Sequence, residues 1–81
     1  MTIKVLFFAS LAAQLDRREM ALQIPEGATV HDAFLLLAKQ FSDLSGIESR
    51  LAFAVNMTYV KGEHLLADGD ELAMIPPVSG G

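Results

Sequence analysis

The last six residues of the chain carry its most specific chemistry. They are Pro76, Pro77, Val78, Ser79, Gly80 and Gly81. The two prolines stiffen the exit from the preceding strand, and the two glycines, which have no Cβ, can enter a channel too narrow for other residues. Six residues at ~3.3 Å each reach about 20 Å. The pattern predicts an extended, flexible tail over residues 76–81 with a carboxylate at its tip.

The reaction open to such a tip is acyl transfer at the carboxylate of Gly81. An α-carboxyl group has a pKa of about 3.5, so it is ionised at neutral pH and is a poor electrophile. Adenylation by an ATP-using partner would activate it, and attack by sulfide or persulfide would leave a C-terminal thiocarboxylate. The chain has no cysteine, so the sulfur cannot come from its own thiol. A terminal Gly-Gly can also be an inert, frayed end.

Composition limits the classes of function. The chain has 81 residues, 52% of them apolar, and a net charge of -4. A single small domain has little volume for an enclosed active site, which favours a carrier, a binding module or a subunit. The acidic balance disfavours nucleic-acid binding. Absent cysteine favours the cytosol, and the longest apolar run, residues 5–9, is too short to cross a membrane.

Hydrophobic spacing predicts an α+β domain over residues 1–75. Strands are predicted by alternation and by β-branched content, at residues 2–8, 19–24, 51–55, 58–60 and 71–75. A short helical turn at 11–15 follows the first strand, with Ser10 as its predicted N-cap. The order indicates a mixed sheet with one main helix across one face. The opposite face is then exposed to solvent or covered by a partner.

The main helix is predicted to begin at Thr29 and to end near Phe41. Thr29 and Asp32 have the spacing of a capping box. The apolar stripe recurs with the helical period, at Val30, Phe34, Leu37 and Phe41. Asp68-Gly69-Asp70 has the composition of a hairpin turn. His31 and His64 lack the spacing of metal ligands, so no metal site is predicted.

Three segments together resemble a known family. They are residues 3–9, then Ala54-Val55-Asn56 with Thr58 and Val60, and the ending Asp68-Gly69-Asp70-Glu71-Leu72-Ala73 followed by Pro76-Pro77-Val78-Ser79-Gly80-Gly81. The chain resembles the small subunits of molybdopterin synthase, which are ubiquitin-like β-grasp sulfur carriers. The resemblance implies a β-grasp fold. It also implies that an adenylyltransferase related to ubiquitin-activating enzymes uses ATP to charge Gly81, which is then converted to a thiocarboxylate.

The resemblance further implies a heterotetramer with the large synthase subunit. The tail, residues 76–81, would enter that subunit and give sulfur to cyclic pyranopterin monophosphate in molybdenum cofactor biosynthesis. This chain would bind no cofactor and would be a non-catalytic sulfur donor. By position, the resemblance places Phe8, Tyr59, Met74 and Ile75 in the partner interface. Met74 and Ile75 replace aromatic residues that the family commonly has before the two prolines.

Alternatives remain open for both the interface and the function. Phe7 and Phe8 are adjacent in a strand, so one faces the core, and the other either contacts a partner or covers a second small core. Tyr59 could dock a partner or pack at the sheet edge with its hydroxyl in water. The competing functions are a thiamine-pathway sulfur carrier, a ubiquitin-like protein modifier and an interaction domain with an inert tail.

Overall fold

Within residues 1–77, the fold consists of five strands and two α-helices. The computed structural model describes residues 1–77, and the tail residues Val78, Ser79, Gly80 and Gly81 lie outside the described residues. The elements are β1 (Thr2–Phe7), α1 (Ala9–Leu15), β2 (Glu19–Gln23), α2 (Val30–Gln40), β3 (Ala52–Val55), β4 (Thr58–Val60) and β5 (Glu71–Ile75). Two short 3-10 turns, Ser42–Leu44 and Glu48–Arg50, connect α2 to β3.

The strands form one mixed sheet in the order β2-β1-β5-β3-β4. β1 and β5 are parallel neighbours, with Val5 opposite Leu72. The pairs β1–β2, β3–β5 and β3–β4 are antiparallel. The α+β class and the mixed sheet predicted from the sequence are therefore confirmed.

The turn at Asp68-Gly69-Asp70 does not join a hairpin, contrary to the sequence prediction. It lies against the start of β1, where Thr2 N donates to Asp68 Oδ1 at 2.8 Å and Gly69 N donates to Thr2 O at 2.8 Å. Gly69 has φ 84, a conformation that glycine adopts without steric cost. These bonds bring the following strand, β5, alongside β1 in the parallel direction.

Helix α2 covers one face of the sheet. Its capping box is present as predicted: Asp32 N donates to Thr29 Oγ1 at 3.1 Å, and Thr29 N donates to Asp32 Oδ2 at 3.0 Å. The predicted stripe faces the core, where Phe34 meets Phe53 edge to face at 6.2 Å. The sheet contributes alternate residues to this core, namely Ile3, Val5, Phe7, Leu22, Phe53, Val55, Leu72 and Met74.

Helix α1 closes one end of the core and is longer than predicted. It begins at Ala9, its N-cap is Phe8, and Phe8 makes no side-chain cap bond, so the prediction of Ser10 as N-cap is wrong. Leu11 and Leu15 are buried in the main core. They therefore belong to the same core as α2 and do not form a second one.

Candidate docking face and the start of the tail

The sheet face opposite α2 carries a row of residues in register across four strands. Leu6 pairs with Ala73, Ala73 with Ala54, and Ala54 with Tyr59. Ala54 and Ala73 are buried, but they lie outside the main core. Because alanine projects only a methyl group, they form a low floor between Leu6 and Tyr59.

This floor belongs to an apolar depression of about 180 Å³. We call it the open face, and its apolar residues are Leu6, Phe8, Ala54, Met57, Tyr59, Ala73 and Ile75. Three of them are large and well exposed: Phe8 at 45%, Tyr59 at 73% and Met57 at 94%. One carboxylate, that of Glu71, borders the depression. A contiguous exposed apolar surface of this kind is typical of a protein-binding site.

The tail leaves the sheet at one end of the open face. Ile75, the last residue of β5, lies opposite Ala52 of β3. On its other side, Phe8 N donates to Met74 O at 3.3 Å. Pro76 and Pro77 lie outside any strand, since proline has no N–H to continue the ladder. Phe8 and Ile75 therefore flank the start of the tail, and their assignment to a partner interface stays a prediction.

The assignment of Met74 to the partner interface is wrong for its side chain. Met74 is fully buried and packs in the core beneath α2. Successive residues of a strand point to opposite faces of the sheet, so Met74 and Ile75 could not both lie on the open face. The same alternation buries Phe7 and exposes Phe8. Phe8, Tyr59 and Ile75 are brought together on one surface.

Four residues of the open face were not assigned to it from the sequence. Leu6 lies two positions before Phe8, so the strand period alone could have found it. The sequence did not indicate that Ala54 and Ala73 lie on the open face, because alanine is as common in protein cores as on shallow apolar surfaces. Met57 follows Asn56 in the turn between β3 and β4, where glycine is the usual residue, and that departure was a usable signal.

Away from the open face, the exposed side chain of His31 pairs with the partly exposed side chain of Glu48. His31 Nδ1 lies 2.5 Å from Glu48 Oε2, and this pair connects the start of α2 to the second 3-10 turn. The hydrogen bond to Glu48, followed by its negative charge, raises the pKa of His31. The pKa of Asp32 is lowered by its hydrogen bonds from the backbone and the side chain of Thr29.

Residues 1–77 hold neither a metal-binding cluster nor a membrane-spanning helix. Within this part of the chain, no group of three or more histidine, cysteine, aspartate or glutamate side chains could hold a metal ion. None of the helices described is both long enough and apolar enough to cross a membrane.

Solved structures with the same arrangement define the class of protein. The chain is similar to small archaeal modifier protein 1 (SAMP1) from Haloferax volcanii, with a TM-score of 0.89, 28% identity and full coverage of both chains. It is also similar to a chain in the complex of subunits 1 and 2 of molybdopterin-converting factor from Helicobacter pylori. There the TM-score is 0.70, with 21% identity and full coverage of both chains, and this likeness concerns the fold. The fold is a ubiquitin-like β-grasp.

The sequence comparisons then give the family. Residues 5–81 match the ThiS family. The molybdopterin synthase sulfur carrier subunit of Chlamydomonas reinhardtii is 35% identical and fully covers both chains. The subunit of the same name from Escherichia coli is 37% identical over 98% of this chain and 99% of its own length. The chain belongs to the ThiS family, among relatives named as sulfur carrier subunits of molybdopterin synthase, and the resemblance seen in the sequence is confirmed.

Proposed function

We propose that this chain is the sulfur carrier subunit of a molybdopterin synthase. The observation that carries the proposal is similarity over the whole chain to proteins named as such carriers. The family match extends to residue 81, so it includes the Gly80-Gly81 ending. A fold match alone would not distinguish a carrier from an interaction domain, because one fold serves many functions.

The proposed chemistry takes place at the carboxylate of Gly81. An adenylyltransferase related to ubiquitin-activating enzymes joins this carboxylate to the AMP part of ATP and releases pyrophosphate. Sulfide displaces AMP and leaves a thiocarboxylate directly. A persulfide displaces AMP to give an acyl disulfide, and a thiol of the sulfur donor then cleaves the S–S bond, which releases the thiocarboxylate and leaves a disulfide on the donor. The thiocarboxylate sulfur is transferred to cyclic pyranopterin monophosphate, where two such transfers complete the dithiolene of molybdopterin. In this scheme Gly81 is the donor residue, and no side chain of this chain acts as a catalyst.

The large subunit of the synthase is the proposed partner of the open face. This surface is apolar, concave and adjacent to the start of the tail. Residues 76–81 can reach about 20 Å at most, so a protein that takes Gly81 into its active site must lie close to Ile75. Pro76, Pro77, Val78, Ser79 and Gly80 would occupy the entry channel. A heterotetramer of two small and two large subunits in the cytosol is part of the proposal.

Mass spectrometry of the C-terminal peptide tests the proposal directly. The chain is co-expressed with the adenylyltransferase and a sulfur source, and the expected product carries sulfur in place of one oxygen at Gly81. The peptide must be isolated, because oxidation of a methionine adds nominally the same mass as this exchange. A variant lacking Gly81 should fold normally and fail to support molybdopterin synthesis. A plain carboxylate in the presence of a competent partner would contradict the proposal.

A second candidate function is that of a protein modifier joined to lysine side chains. The likeness to SAMP1, a protein named as a modifier, favours it. Covalent adducts on cellular proteins that disappear when Gly81 is deleted would support this candidate. A thiamine-pathway carrier would share the fold and the tail, and co-purification with a different large partner would identify it.

A further inference from the structure

We infer that Met57 is a contact residue for the large subunit, at the end of the open face that lies away from the tail. The inference rests on the proposed function, since it extends the proposed interface along the whole open face. Met57 is then a determinant of partner recognition, because the turn itself does not require a methionine at this position.

The backbone at Met57 is one that a methionine adopts at a cost. Met57 has φ 72 and Asn56 has φ 50, so both central residues of the turn are left-handed. A two-residue turn of this kind favours Asn-Gly, because asparagine tolerates positive φ and glycine has no Cβ to clash. Asn56 fits its position well, whereas glycine would fit the next position better than methionine. Local turn chemistry therefore does not explain why Met57 is present.

Packing within the chain does not explain it either. Met57 is 94% exposed, the largest value among the exposed apolar side chains of the chain's described part. Its thioether is left in water, so its burial contributes little to folding. Strain that the fold does not repay is characteristic of residues kept for binding.

The position of Met57 is well fixed in spite of this exposure. The neighbouring residue, Asn56, makes three hydrogen bonds to the segment that begins β5. Asn56 N donates to Glu71 O at 2.9 Å, Glu71 N donates to Asn56 Oδ1 at 3.0 Å, and Asn56 Nδ2 donates to Asp70 Oδ1 at 2.9 Å. A contact held in this way loses little backbone entropy when a partner binds.

The partner that receives the tail is the occupant that fits this surface. The open face runs without interruption from Phe8 and Ile75, beside the tail, past Tyr59 to Met57. A protein that receives the tail covers the end of the open face at Phe8 and Ile75. If its contact surface extends across Ala54 and Ala73, it also contacts Met57. Methionine is flexible and polarisable, so it packs well against an irregular apolar surface. The chemistry expected of the partner here is a cluster of aliphatic or aromatic side chains.

The test measures the affinity of the full chain for the large subunit by calorimetry, together with its thermal unfolding. Met57→Gly is expected to keep or raise Tm, because it relieves the positive φ, and to weaken binding by about tenfold or more. Met57→Leu should bind within about threefold of wild type, because it keeps the apolar volume. Leu65→Ala is the matched control: Leu65 is exposed and apolar but does not line the open face, so its affinity should be unchanged.

Met57→Gln supplies a second variant of similar length, in case the glycine loosens the turn. Weaker binding by this folded variant supports the inference. Native affinity in both Met57→Gly and Met57→Gln, while Phe8→Asp loses binding, overturns the role of Met57 and leaves the proposed function standing. Failure of the wild-type chain to bind the large subunit at all overturns both.

Discussion

Asn56 and Asp70 join two turns that are distant in the sequence, because the Asn56 carboxamide donates to Asp70 Oδ1 at 2.9 Å. Asp70 in turn accepts from Ala67 N at 2.8 Å through its other oxygen. The hairpin of β3 and β4 is thereby fixed to the start of β5. The floor of the open face depends on this junction, because it lies between these same strands.

Replacing Asn56 should therefore weaken the fold. Asn56→Ala removes two side-chain hydrogen bonds and places alanine at φ 50, so we expect the free energy of unfolding to fall by about 1–2 kcal/mol. Urea denaturation measures this change. Asn56→Gly loses the same bonds without the steric cost, and it should be less destabilising than alanine. Equal stability of Asn56→Ala and wild type would contradict the role of this junction.

The capping box of α2 gives a second prediction on stability. Thr29→Ala removes the acceptor for Asp32 N, and it should lower the free energy of unfolding by about 1 kcal/mol. Thr29→Ser retains an oxygen at the same position and serves as the control. Thermal or urea unfolding of wild type, Thr29→Ala and Thr29→Ser measures the effect. If Thr29→Ser loses as much stability as Thr29→Ala, the capping role of Thr29 is contradicted.

The pair His31–Glu48 predicts a dependence of stability on pH. Since Glu48 raises the pKa of folded His31, the pair stabilises the fold when the imidazole is protonated. This stabilisation is complete below the unfolded pKa of about 6.5 and is lost as pH rises through the higher folded pKa. NMR titration should show the His31 pKa falling toward its unperturbed value in Glu48→Gln.

The stability of the same variant provides an independent check. The difference in Tm between wild type and Glu48→Gln should be greatest near pH 5.5 and should shrink by pH 8.5. His31 is exposed and Glu48 is partly exposed, so the difference will be small and will decrease with added salt. A difference that grows with pH would contradict the assigned charge state.

Phe7 and Phe8 should respond to substitution in opposite ways. Phe8→Asp should hardly change stability, because Phe8 is half exposed and aspartate is a favourable residue at the N-cap of α1. We expect it to weaken binding to the large subunit by at least about 2 kcal/mol. Phe7→Ala should destabilise the fold by about 3–5 kcal/mol, because Phe7 is buried. Native affinity in Phe8→Asp would remove the open face as the docking site.

Methionine oxidation should follow the exposure of each side chain. Limited treatment with hydrogen peroxide transfers one oxygen to a thioether sulfur and leaves water, so accessible methionines react first. Met57 should be oxidised before Met1 and Met20, which are partly buried, and Met74 should be oxidised last. Peptide mass spectrometry at short times measures the order. Early oxidation of Met74 in the folded chain would contradict its burial.

Short-range spacing was enough to predict the local elements. The capping box of Thr29 and Asp32 and the apolar stripe of α2 involve residues a few positions apart, so their pattern reflects helix geometry directly. In the same way, the two-residue period of a strand places Phe7 and Phe8 on opposite faces of the sheet. The ending from Pro76 to Gly81 indicated the carrier family because the function of such a tail depends on which residues it contains and on their order. Both can be read directly from the sequence.

Long-range pairing decided the composition of the open face. Neither Leu6 nor Ala54 indicates that both flank Ala73, because strand order is set by contacts between segments far apart in the chain. The parallel alignment of β5 with β1 buries Met74 under α2 and leaves Ile75 on the other face. The turn at Asp68-Gly69-Asp70 had the composition of a hairpin, yet its bonds to Thr2 placed the next strand beside β1. Local patterns identify each strand's two faces, but only the assembled sheet decides which face is covered and which neighbours lie on it.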